Sequence, residues 1–251
     1  MVIVGGGVFG GCAAWDAASR GLSIAVIERG DFGQATSANS FKMVHGGIRY
    51  LQHGDIVRLR QSSRERNALL RLAPHLVHPL PIVIPTYGRG MKSRAAMAAA
   101  MKIYDWAAFD RNRGINDPQR MIPRGRSISR GEVLDMFPGL EPTGLTGAAV
   151  FRDAQMYNPP RLVLAFVQSA VAAGATAVNY VEATGFLKNG DRVSGIAARD
   201  TLTGESFDIR ATETLNAAGP YAEHLLSSGL GIRLSPPGTY SRDACLYGKR
   251  S

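Results

Sequence analysis

The stretch Val2-Ile-Val-Gly-Gly-Gly-Val-Phe-Gly-Gly11 constrains this chain more than any other. A short apolar run breaks into Gly5, Gly7 and Gly10, the spacing G-x-G-x-x-G, with Gly6, Val8 and Phe9 filling the turn. An amphipathic run from Phe9 to Arg20 follows, and Gly21 is placed to end it. The apolar run Ile24-Ala-Val-Ile27 then leads into Glu28. Strand, glycine turn, helix, strand and acid in that order predict a βαβ unit that holds a dinucleotide. The first glycine permits the tight turn, the second lets the backbone approach a pyrophosphate, and the third lets helix and strand pack closely. The helix start offers free N–H groups and partial positive charge to the phosphates. Glu28 stands where a carboxylate accepts hydrogen bonds from ribose hydroxyls. The motif by itself does not separate NAD from FAD.

With 251 residues the chain can form one large domain or two small ones. Apolar content of 45% with 20% charge is that of a globular protein. The longest run of small apolar residues, 95–101, is too short to span a bilayer, and a cytoplasmic setting fits. Cys12 and Cys245 give neither a disulfide framework nor a metal spacing, and Cys12 reads as a small packed residue of the first helix. His53, His75, His78 and His224 show no ligand spacing, so no metal is expected. The net charge of +9 is partly clustered, in Arg58, Arg60, Arg64, Arg66 and Arg71 and again between Arg111 and Arg130. Such a surplus could favour anionic substrates or anionic lipid. No nucleic-acid motif accompanies it, so no nucleic-acid partner is expected. The bland expectation is a solvated basic face.

After Glu28 comes Arg29 and a polar loop to Ser40, rich in donors such as Thr36 and Ser37. Phe41 to Tyr50 then sets Lys42, His45 and Arg49 among apolar residues, with Gly46-Gly47 allowing close backbone approach. A helix is predicted over 55–72. An edge strand is predicted over 80–87, because Pro81 and Pro85 cannot serve a central strand. Ser93 is placed to cap a helix to Phe109 whose Met and Ala face packs in a core. Ser129-Arg-Gly-Glu132 has capping-box spacing, and 147–152 reads as a strand. Asn158 with Pro159 and Pro160 reads as a helix start, and Gly174 ends that helix. Strands follow at 177–180, 183–188, 193–199, 206–210 and 212–216, with Asn189-Gly190 as a hairpin turn. Asn216-Ala-Ala-Gly-Pro220 then opens a helix through Leu226.

The array Gly-Gly-Gly-x-x-Gly, Glu28, Gly30-Asp31, Thr36-Ser37, Ser40, Lys42 and His45-Gly-Gly-Ile-Arg-Tyr-Leu51 resembles the FAD-dependent glycerol-3-phosphate dehydrogenases. These belong to the wider D-amino-acid-oxidase-like flavoproteins. The resemblance is strong over 2–52, looser over 151–226 and weak between. It implies an α/β fold: a Rossmann-like FAD-binding domain with a small antiparallel sheet, plus part of an α+β substrate domain. The FAD-binding domain would comprise 1–75 and 151–235, and the partial substrate domain 76–150 and 236–251. FAD would be held by Gly5, Gly6, Gly7, Val8, Phe9, Gly10, Glu28, Arg29, Thr36, Ser37, Ser40, Lys42, His45, Gly46 and Gly47. Backbone at Val181 would face the adenine, and Ala217 and Gly219 would pass close to the cofactor.

The reaction implied is oxidation of sn-glycerol 3-phosphate, a small phosphorylated polyol, to dihydroxyacetone phosphate by hydride transfer to flavin. Electrons would pass to quinone or oxygen, which allows peripheral contact with the inner membrane. Arg49 would lie at the flavin ring and contact substrate. His45 would shuttle the hydroxyl proton or shape the flavin pocket, and Lys42 would tune the flavin or bind phosphate. Three departures stand out. Phe9 replaces a small or polar residue, Asn158-Pro-Pro-Arg161 replaces an Asp-Asp sequence, and the chain ends at Ser251, so it is expected to be an N-terminal part. The alternatives are a related flavin oxidase of an amino acid or 2-hydroxy acid, and a non-catalytic FAD-binding module.

Overall fold

The computed structural model describes residues 1–90 and 93–235. Two compact units divide the chain: Met1–Phe41 with the stretch from Asn158 onward, and Lys42–Tyr157. The stretch 236–251, expected in the partial substrate domain, and with it Cys245 lie outside the described residues.

In the first unit, β1 (Val2–Val4), β2 (Ala25–Glu28), β7 (Thr176–Asn179) and β11 (Thr214–Asn216) form a sheet in the order β11-β1-β2-β7. Every pairing in it is parallel. Val2, Ile3 and Val4 are all buried, as a strand covered on both faces requires. One face packs Ile3 and Val26 against Ala14, Ala17 and Ala18 of helix α1 (Val8–Ser19) and Ala170 of helix α5 (Pro159–Ala172). The two helices approach closely: a side chain at Gly11 would stand 3.4 Å from Phe166 Cβ.

The opposite face packs Val2, Val4 and Ile27 against Val181, Ile196, Ala198 and Leu225. These come from an antiparallel sheet of β8 (Val181–Asn189), β9 (Arg192–Asp200) and β10 (Ser206–Arg210), and from helix α6 (Ala222–Leu230). The period-2 alternation of Val2, Ile3 and Val4 thus divides one short strand between two cores. Helix α5 starts as its sequence predicts, with Asn158 Oδ1 accepting from Arg161 N at 3.2 Å and prolines in the first turn.

The second unit is built on β6 (Leu145–Met156), which runs well past both ends of the predicted strand. It pairs antiparallel with β4 (Val77–Tyr87) on one side. Its other side pairs with β3 (Met43–Val44) and β5 (Arg126–Ser129). β4 is an edge strand among the described residues, as Pro79, Pro81 and Pro85 require. Helices α2 (Ile56–Leu72), α3 (Arg94–Ala107) and α4 (Arg130–Met136) complete the unit. Met101 and Met97 of α3 pack on Ala149 and Phe151, the core role expected of that face. Ser93 caps α3, and the capping box of Ser129 and Glu132 starts α4. The stretch 42–75, grouped by its motif with the FAD-binding domain, packs here with 76–157: β3 pairs with β6, and Leu59 clusters with Tyr104.

Candidate active site

The glycine turn lies at the carboxyl end of β1. Its neighbours there are the carboxyl end of β2, which carries Glu28, and that of β11, which leads into Ala217. The chain leaves β1 for α1 on one face of the sheet and leaves the adjacent β11 for α6 on the other, so the crevice between these two strand ends is the switch point where open α/β sheets bind ligands. Gly5 has φ +108, a conformation other residues avoid, and donates its N–H to Ile27 O at 2.9 Å. Ala217 N–H donates to Val4 O at 2.8 Å, so β11 and the glycine turn are joined by backbone. A Cβ at Gly10 would collide with the Gly5 carbonyl, which is the close helix–turn packing expected of the third glycine. Among the described residues a side chain at Gly7 would meet only Ser37 Oγ within 4 Å, so they leave the space over the turn open. Helix α1 has no side-chain cap and no acid in its first turn. Its Val8 N–H is held by Ser37 Oγ at 3.1 Å.

Glu28 braces the turn. Its Oε2 accepts from Gly6 N–H at 2.8 Å and its Oε1 from Gly30 N–H at 3.0 Å. Gln34 Nε2 adds a third contact at 3.4 Å. The Arg29 guanidinium stacks over the Tyr221 ring, 4.1 Å from its centre. Thr36 and Ser40 are exposed in the loop that follows. Val181 is buried in the core, so only its backbone is available to a ligand. Just before it, Tyr180 adopts φ +58 and donates its hydroxyl to Asp31 Oδ1 at 2.8 Å, which ties the loop after Glu28 to the start of β8. This bond pushes the Tyr180 phenol above its usual range. Gly219, at φ +55, opens the turn after β11.

In the second unit, Lys42, His45, Gly46, Gly47 and Arg49 lie on one short segment. Lys42 has φ +59 and accepts from Met156 N–H at 2.7 Å through its carbonyl. The side chains of His45 and Arg49 are exposed, while Gly46 and Gly47 are buried. Gly47 is left-handed, with φ +86, and opens the 3₁₀ turn Ile48–His53 that carries Arg49. His45 Nδ1 is 3.4 Å from Asp153 Oδ2.

The solvated basic face is corrected in part. Arg66 is wholly buried and paired with Asp153 at 2.6 Å. Arg111 is buried and pairs with Asp105 at 2.8 Å. Arg60 bonds Ala107 O and Asp110, and Arg120 bonds Pro74 O and Asp117. Arg58, Arg64, Arg71, Arg113 and Arg124 are exposed. Helical spacing turns only one side of α2 to solvent, so charge counting alone could not separate these groups. Sequence reading also missed Asp153 and Tyr104, and gave Asp31 no role beyond its place in the motif. An acid inside the apolar run Ala148-Ala-Val-Phe-Arg-Asp-Ala154 was the available signal for Asp153. Among the described residues no cluster of His, Cys, Asp and Glu could hold a metal, and no helix is long and apolar enough to cross a membrane.

A parallel sheet with a glycine turn at its switch point and an acid on the next strand defines a dinucleotide-binding protein of the doubly wound class. The family described as FAD dependent oxidoreductase matches residues 1–243, and the chain belongs to it. FAD is the cofactor of that family. The chain is 35% identical to a mitochondrial glycerol-3-phosphate dehydrogenase of Macaca fascicularis, over 97% of this chain and 35% of that protein. It is also 35% identical to a glycerol-3-phosphate dehydrogenase of Synechocystis, over 94% of this chain and 41% of that protein. The chain thus spans little more than a third of these relatives. Among solved structures, the glycerol-3-phosphate dehydrogenase of Bacillus halodurans complexed with FAD superposes with a TM-score of 0.66 at 26% identity, covering 90% of this chain and 35% of that one. The L-proline dehydrogenase of P. horikoshii, at 18% identity and TM-score 0.65 over 90% of this chain and 54% of its own, shares the fold.

Proposed function

We propose that this chain supplies the FAD-binding part, and a portion of the substrate-binding part, of an enzyme that oxidises sn-glycerol 3-phosphate to dihydroxyacetone phosphate. The observation that carries this reading is the 35% identity, over nearly all of this chain, to two glycerol-3-phosphate dehydrogenases. The residues present fit FAD: among the described residues the space over Gly7 is open, α1 brings no acid to it, and Glu28 Oε2 keeps a lone pair for a ribose hydroxyl. Gly5 to Gly10 would hold the pyrophosphate through backbone N–H groups, and the Val181 backbone would meet the adenine. When bound, FAD supplies the hydride acceptor.

Arg49 would bind the substrate, since an exposed guanidinium offers a bidentate fork to a phosphate or a developing alkoxide. Asp153 beside Nδ1 draws the His45 proton to that nitrogen and leaves Nε2 to take the proton of the substrate hydroxyl. Lys42 would add positive charge to the same segment. Quinone or oxygen would accept the electrons. The exposed Arg58, Arg64, Arg113 and Arg124 would suit a peripheral contact with anionic lipid from the cytoplasmic side.

The test is the visible spectrum of the purified chain with FAD, before and after anaerobic addition of sn-glycerol 3-phosphate. A bound flavin spectrum that bleaches is the expected result. A bound flavin that is not reduced by this substrate but is reduced by a 2-hydroxy acid or amino acid would overturn the substrate assignment.

A further inference from the structure

Three buried polar side chains of the second unit meet around one glycine. Arg66, Asp153 and Tyr104 are 0%, 1% and 2% exposed, and they come from α2, β6 and α3. Gly46 N–H donates to Asp153 Oδ1 at 2.5 Å, and the Tyr104 hydroxyl donates to the Gly46 carbonyl at 3.2 Å. Arg66 Nη1 donates to Asp153 Oδ1 at 2.6 Å and to the Tyr104 hydroxyl at 3.1 Å, with the Arg152 carbonyl at 3.4 Å. The peptides on both sides of Gly46 are therefore gripped. The Arg66 guanidinium and the Tyr104 hydroxyl occupy the space a side chain at Gly46 would need. His45, immediately before, faces the second oxygen of Asp153. Gly47, immediately after, opens the 3₁₀ turn bearing Arg49.

This arrangement is poorly suited to stabilising a core. Desolvation of two charges offsets most of their attraction, so apolar residues of similar shape would serve stability as well or better. Arg66 Nε and Nη2, together with Ser63 Oγ and Asn67 Oδ1 on the same helix, are buried without a hydrogen-bond partner among the described residues. Each unmade bond adds to the cost. What the cluster does accomplish is directional: it leaves the Gly46 peptides one conformation.

We propose that Arg66, Asp153 and Tyr104 are positioning residues, a buried clamp that fixes the Gly46 peptides and thereby the direction in which His45 and Arg49 are presented. Its functional consequence rests on the reading of those two side chains given above, while the clamp itself does not.

The test compares the parent chain with Tyr104→Phe, which removes one hydroxyl, and Asp153→Asn, which removes one charge at constant shape. Thr86→Val is the control, because Thr86 is buried in the same unit and bonded to Thr146 away from the turn. Amide hydrogen exchange is followed by mass spectrometry on peptides covering 43–53, β4 and β6, alongside the thermal midpoint and the FAD dissociation constant. Exchange over 45–51 should rise about tenfold in Tyr104→Phe, the effect of losing one buried hydrogen bond, with β4 and β6 unchanged. Asp153→Asn should do the same, and Thr86→Val should not. Unchanged exchange over 45–51, or an equal rise across β4 and β6, overturns the clamp. A loosened turn with unaltered FAD affinity and unaltered reduction by substrate overturns its link to the site. Failure of the parent chain to bind FAD would count against the functional reading alone, because the exchange data still decide the clamp.

Discussion

Glu28 offers the sharpest quantitative test of how the glycine turn is held. Its two oxygens accept from Gly6 N–H at 2.8 Å and Gly30 N–H at 3.0 Å, on opposite sides of the end of β2. Hydrogen bonds to a charged acceptor contribute about 1.5–3 kcal/mol each. Glu28 is half-buried, so water can partly replace it and the lower figure applies. Glu28→Ala is therefore expected to cost about 3 kcal/mol. Glu28→Gln keeps one acceptor oxygen but turns an amide toward the other N–H, and should cost about half as much. At this chain length about 3 kcal/mol lowers the midpoint by roughly 6–12 °C. The chain has two tryptophans. Trp106→Phe leaves Trp15, whose ring centre is 5.8 Å from that of Phe166 in the first unit, as the sole fluorescent reporter. Urea unfolding followed at Trp15 should rank the proteins parent, Gln, Ala. Variants within about 0.5 kcal/mol of the parent would refute the idea that this carboxylate braces the turn.

Gly10→Ala drives a Cβ into the Gly5 carbonyl. It should cost about 1–3 kcal/mol or more by overpacking and weaken FAD binding, both read by urea unfolding and flavin fluorescence titration. Ser129→Ala removes the cap of α4 and should cost about 1 kcal/mol in the thermal midpoint at neutral pH. The Ser129 N–H holds the Glu132 carboxyl below its ordinary 4.5, so this support is complete above that value and lost as pH falls through the lowered one. Ser129→Ala keeps this N–H, so both midpoints should fall in acid while most of the cap difference between them persists. Burial pushes the Tyr104 phenol above its ordinary 10, despite the opposing Arg66 charge. Stability from this group is complete below pH 10 and declines as pH rises through the raised value, and Tyr104→Phe should lack one phenolate absorbance step above pH 10 in an alkaline titration.

Most of the secondary structure was legible because its signals are local. Asn158 with its two prolines, Ser129 with Glu132, and Ser93 each announce a helix through contacts within one turn. The prolines of β4 announce an edge because a missing N–H cannot serve a second neighbour. The extent of β6 was less legible, since Gln155 and Met156 become strand by pairing with Met43, His78 and Val77, distant in sequence. The nucleotide turn was read in detail, and its glycines, Glu28 and Ser37 meet as their residue types suggest. Arg49 and His45 were picked out by their motif, but what holds them was not.

The sequence by itself determined the βαβ unit, its dinucleotide turn and the positions of nearly every helix start, because periodicity, caps and glycine spacing act over a few residues. Only the tertiary structure decided which arginines are solvent charge and which are internal. Arg66 and Arg64 look alike on α2, yet one faces Asp153 across the core and the other faces water. The clamp on Gly46 joins residues from α2, α3 and β6, far apart along the chain, and no short-range pattern encodes such a meeting. It exists because three elements that pack for apolar reasons bring an arginine, a tyrosine and an aspartate to one point, where burial forces each to find a partner.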